Sequence, residues 1–129
     1  MLKWFRSQSS DSREDILNKG YKMSLEFGGN WLKPINERLG KKYPKLSSNE
    51  LDEFSAICER LRAEAINFIN KYLEAKAEGN QQIVEKELQI AFTNWALEYY
   101  PWLSKSNIKG TVSQGLYFAW KGGLVKQVK

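Results

Sequence analysis

The chain has 129 residues, 42% of them hydrophobic and 27% charged, a size and balance that fit one soluble globular domain. No apolar run approaches the roughly 18 residues of a membrane-spanning helix, and the single cysteine excludes an intramolecular disulfide. Histidine is absent, which removes the commonest general base, the histidine-based catalytic triads and most transition-metal sites.

Residues 1–11 read as a flexible lead. The start, Met1-Leu-Lys-Trp-Phe-Arg6, lacks the apolar stretch of a secretory signal, and the polar Ser7-Gln-Ser-Ser-Asp11 follows at once. A cytoplasmic protein is the resulting expectation. Ser12 and Asp15 have the spacing of a short capping box. Leu17, Tyr21, Leu25, Gly28, Leu32, Ile35 and Leu39 then recur at steps of three or four, one face of a helix reaching about residue 40. Gly28-Gly29 and Pro34 interrupt it and predict a kink or break near 28–34. Gly20, Ser24 and Gly28 form a row of small residues that suits a close helix crossing.

Gly40 to Lys45 reads as a basic loop, because Pro44 disfavours helix. Ser47 and Glu50 form a second capping box and open a helix over about 48–78, which stops at Gly79-Asn80. Leu51, Phe54, Cys58, Leu61, Ala65, Phe68, Tyr72 and Ala75 make its apolar seam. Ile57, Ile66, Ile69 and Leu73 widen that seam to the breadth of a bundle helix. Asn80 is placed to cap a further helix over about 80–100, with Val84, Leu88, Ala91, Trp95 and Tyr99 on its inner face and Phe92 beside them. The pair makes an antiparallel αα-hairpin. A helix of this length, about 46 Å, outreaches a compact globule of this size, and the overhang suits contact with a second copy.

Beyond Pro101 the periodicity fades. Thr111 to Trp120 opens a last helix with Val112, Leu116, Ala119 and Trp120 inward. The run Leu116 to Trp120 also fits a strand, but no second strand is available to pair with it. Residues 124–129 form a short basic tail. The expected fold is all-α, a four- to five-helix bundle on the 48–78/80–100 hairpin, with a kinked N-terminal helix and a single helical domain over 12–123.

Function is written more faintly. Residues 1–98 carry fifteen Lys and Arg against fifteen Asp and Glu, so the net charge of +5 arises from Lys105, Lys109, Lys121, Lys126 and Lys129. The same acid-free stretch holds six of the seventeen aromatic residues. Lysines that meet phosphates and rings that stack on bases would suit nucleic acid or another polyanion, with Lys105, Lys109, Lys121 and Lys126 as the candidate contacts. Trp102, Tyr117 and Trp120 are the candidate interaction aromatics. Their helical spacing instead predicts rings docked inside and lysines in water. Cys58, between Phe54 and Leu61, reads as an inert core thiol. The carboxylates read as caps and solvated faces, and Gly28-Gly29-Asn30 as a helix break. No residue is put forward as catalytic, cofactor-binding or metal-ligating. The leading expectation is a small non-catalytic cytoplasmic protein acting through protein–protein contact, a homodimer being one form of it. The alternative is a nucleic-acid or polyanion-binding accessory protein using residues 99–129.

Overall fold

Capping chemistry sets where several of the helices begin. In a computed structural model, which describes residues 11–26 and 34–123, Ser12 Oγ accepts from the Asp15 amide at 3.1 Å, and the Asp15 carboxylate accepts from the Ser12 amide at 3.0 Å. Ser47 and Glu50 repeat this reciprocal pair at 3.1 and 2.9 Å. Each box satisfies amides that have no partner within the helix. Among the described residues the chain is all-helical: α1 (Arg13–Ser24), α2 (Ile35–Lys42), α3 (Ser48–Glu78), α4 (Glu85–Tyr99) and α5 (Lys105–Lys121). No helix among them is long and apolar enough to cross a membrane. The N-terminal lead before Asp11, most of the expected kink at 28–34 and the basic tail 124–129 lie outside the described residues.

Two compact units divide the chain, residues 1–60 and 61–129, and α3 contributes its N-terminal part to the first and the rest to the second. In the first unit α1 packs on α2. Ile16, Leu17, Tyr21, Ile35, Leu39, Tyr43, Phe54 and Cys58 are buried. A Cβ at Gly20 would come within 3.1 Å of Leu39 Cδ1 and 3.2 Å of Cys58 Sγ, so the missing side chain lets the three helices close on one another. Arg38 of α2 ties back to α1: its guanidinium donates to the Met23 carbonyl at 2.8 Å and pairs with Glu26. Tyr43 donates to the Asp11 carboxylate at 2.6 Å.

In the second unit α4 packs on α5, and the buried row of α3 is Leu61, Ala65, Ile69 and Leu73. Phe68 and Tyr72, expected on the seam, are only half-buried, and Ala75 is exposed. The reason is local: a Cβ at Gly115 of α5 would lie 2.9 Å from Ile69 Cγ2. Ile69 occupies the space of a missing side chain, and the row that contains it wins the core. The inner face of α4 differs likewise. Leu88, Phe92 and Ala96 are buried, Ala91 and Trp95 half-buried and Tyr99 exposed. Apolar residues surround this helix, with Ile90 and Leu97 on its outer side, so periodicity alone does not select a face.

Three further differences concern ends. Asn80 caps no helix. It adopts a left-handed φ of 56°, while its amide and that of Gln81 donate to the Ala77 and Lys76 carbonyls. This is a Schellman close to α3, with Asn where Gly is commonest. The chain then needs residues 81–84 before α4 begins at Glu85. The last helix starts at Lys105 rather than 111, because Ser104 accepts from the Asn107 amide at 3.1 Å and caps it. Its buried side is Ile108, Val112, Leu116 and Ala119, with Trp120 turned outward.

Replacing Gly115 by Val is expected to cost about 1–3 kcal/mol in urea denaturation, and part of that loss should disappear in an Ile69→Ala background. Cys58 is fully buried, its thiol donates to the Leu17 carbonyl at 3.4 Å, and burial pushes its pKa up to about 12. It should resist thiol reagents at about pH 8 in the native protein and react on unfolding. Because the folded state holds this proton after the unfolded chain has lost it, stability should fall from about pH 9 upward toward 12, and Cys58→Val should flatten that slope in a pH series of unfolding midpoints.

Candidate functional site: an aromatic groove on the second unit

The row that loses the core on α3 becomes one wall of a surface groove. Phe68 and Tyr72 lie one turn apart on α3, and Trp95 and Tyr99 one turn apart on α4. Together with Glu64, Asn67 and Lys71 they line an open groove of about 630 Å³. Contacts run in opposite order along the two helices: Phe68 meets Phe92 and Trp95 at 5.9 and 5.5 Å, and the earlier Glu64 accepts from the later Tyr100 hydroxyl at 2.5 Å.

Trp95 is the hub. Besides Phe68, its ring centroid lies 5.4 Å from Phe92, 5.9 Å from Tyr99 and 5.6 Å from Tyr100. Trp102 extends the chain edge-on to Tyr100 at 6.1 Å. Such pairs contribute roughly 0.5–1.5 kcal/mol each beyond their burial and hold Trp95 against its neighbours. The groove's rim is polar and mixed in sign, with Glu64 at one end and Lys71 among the rings. Lys76 Nζ sits 5.6 Å from the Tyr72 ring centre, within cation–π range. Interaction with the neighbouring Glu98 carboxylate holds the Tyr99 hydroxyl's pKa above its ordinary value.

A second open groove, about 610 Å³, runs along the outer side of α4 between Glu85, Lys86, Gln89, Ile90, Thr93 and Asn94. Among the described residues no group of three or more acidic or cysteine side chains is placed to hold a metal ion.

The residues singled out from the sequence are dispersed. Trp102 is half-buried in the ring chain that leads to Trp95. Tyr117 and Trp120 are exposed on α5, against the expectation that they dock inward: the aromatic run at 116–120 has five apolar residues and the helix only one buried side. Lys105, Lys109 and Lys121 are exposed on the same helix, and Lys126 lies outside the described residues. The groove residues Phe68, Tyr72, Trp95 and Tyr99 all read as core in the sequence. The usable signal was the doubled row on α3, Phe68 and Tyr72 beside Ile69 and Leu73, since both rows cannot face the same interior.

Comparison of the chain with protein-family models, curated proteins and solved structures finds no match.

Trp95→Ala should cost about 2–4 kcal/mol in guanidinium denaturation, because it removes the shared partner of four rings. Tyr99→Ala, at an exposed position, should stay within about 1 kcal/mol of the parent.

Proposed function

We propose that this is a small non-catalytic cytoplasmic protein that works through protein–protein contact, with the α3–α4 groove as its contact surface. The observation that carries the reading is the groove's construction: four rings from two helices, with Phe68 and Tyr99 packed on Trp95 and Tyr72 beside them, under a rim of Glu64, Asn67 and Lys71. Contact hot spots have this composition, aromatic and water-excluding at the centre and polar around the edge. A second copy of the chain is the occupant to test first.

The alternative, nucleic acid or another polyanion held by residues 99–129, draws support from the exposure of Lys105, Lys109, Lys121, Tyr117 and Trp120. The spacing of the charges weakens it. Lys109 and Lys121 are separated by about 18 Å along α5 and about 120° around it, so they do not form a continuous track for a phosphate backbone.

In sedimentation equilibrium the parent chain should self-associate with rising concentration. Tyr72→Ser with Tyr99→Ser should weaken that association about tenfold while leaving the helical spectrum unchanged. A concentration-independent monomer would remove the second copy as occupant, and association indifferent to the groove variants would remove the groove.

A further inference from the structure

We propose that the C-terminal end of α5 is a membrane-contact site, which seats its exposed rings in the interface of a bilayer containing anionic lipid. The site is separate from the groove and does not depend on the reading given for it.

Three rings project from the last turns of α5. Tyr117, Phe118 and Trp120 are 45%, 43% and 58% exposed. They also touch: the Tyr117 ring centroid is 5.6 Å from Phe118 and 6.4 Å from Trp120. The patch is therefore one contiguous apolar surface rather than scattered side chains. Helical geometry confines it to the end. Toward the N-terminus of α5 the solvent side carries Ser106, Lys109 and Ser113, all exposed and polar. A helix built to lie flat in a bilayer would carry its apolar stripe along the whole length. Here only the tip is apolar, which suits shallow insertion of one end.

The chemistry of the tip fits the headgroup region. Trp and Tyr carry an apolar ring body with a polar edge and concentrate at membrane–water interfaces, while Phe inserts fully. Lys121, exposed, adjoins the rings. No acidic side chain follows Glu98 in the sequence. Apolar and cationic residues without an acid are the complement of an anionic surface. Each lysine near such a surface raises the partition coefficient roughly fivefold. Single-stranded nucleic acid needs a groove in which rings and cations alternate along a path, whereas the grooves described above draw their linings from α3 and α4.

The test is co-sedimentation of the full chain with phosphatidylcholine vesicles and with vesicles containing about 30% phosphatidylserine. Binding should appear on the anionic vesicles, weaken as salt is raised, and fall about tenfold in Phe118→Ser with Trp120→Ser. Lys121→Gln should lose about fivefold. Trp120→Tyr should keep most of the binding, and the groove variant Tyr72→Ser with Tyr99→Ser should keep all of it. Circular dichroism and the thermal midpoint of each variant establish that the fold is intact. The proposal is overturned by no binding to anionic vesicles, by binding that the ring variants leave unchanged, or by ring-dependent binding to a single-stranded oligonucleotide in place of vesicles.

Discussion

Position 115 has no side chain, and Ile69 stands where one would be. That close approach decides how α3 is turned against α5, because a row of helical residues containing Ile69 must face inward once Ile69 is seated. Leu61, Ala65 and Leu73 follow it at steps of four. The neighbouring row, Phe68 and Tyr72, is rotated by about 100° and left at the margin. The aromatic groove is a consequence of this choice. Its rings are large enough to have filled a core, and they line a surface because a smaller pair, isoleucine against glycine, packs more tightly.

The same competition between apolar rows explains what the sequence revealed and what it hid. The starts of α1 and α3 were legible, since Ser12 with Asp15 and Ser47 with Glu50 make reciprocal bonds that depend only on residues three apart. The end of α3 was legible too, from Gly79 and Asn80. Faces were not. A stripe that is apolar on two adjoining rows, as on α3, or nearly all round, as on α4, leaves its orientation to partners distant in sequence. Trp120 shows the limit from the other side: its spacing from Leu116 places it on a helical stripe, yet Ala119 takes the buried position beside it. Small residues won at 115 and 119, and hydrophobicity by itself does not rank a close-packed alanine above an exposed tryptophan.

Charge follows a different logic from packing. The body balances its acids and bases, with caps such as Glu50 and ion pairs such as Arg13 with Glu53 at 2.9 Å absorbing carboxylates at the surface. The C-terminal stretch has no such balance. Its lysines do not converge: Lys105 and Lys109 share one side of α5, and Lys121 lies at the other end beside the rings. The acid-free segment is thus two features, a solvated helix beginning and an aromatic, cationic tip. The groove on α3 and α4 and the tip of α5 have different compositions, mixed charge on the one and positive charge on the other, and they suit different classes of contact.

The Schellman close at Asn80 has a practical reach of its own. By completing the end of α3 with its own backbone bonds, it makes the helix independent of what comes next, and Gly79 to Gln82 are exposed. Burial resumes only at Ile83. The point just after Gln81, beyond the last of these bonds and before Ile83, is therefore a permissive junction, where an epitope, a fluorescent domain or a protease site can be inserted without removing a closing bond from α3.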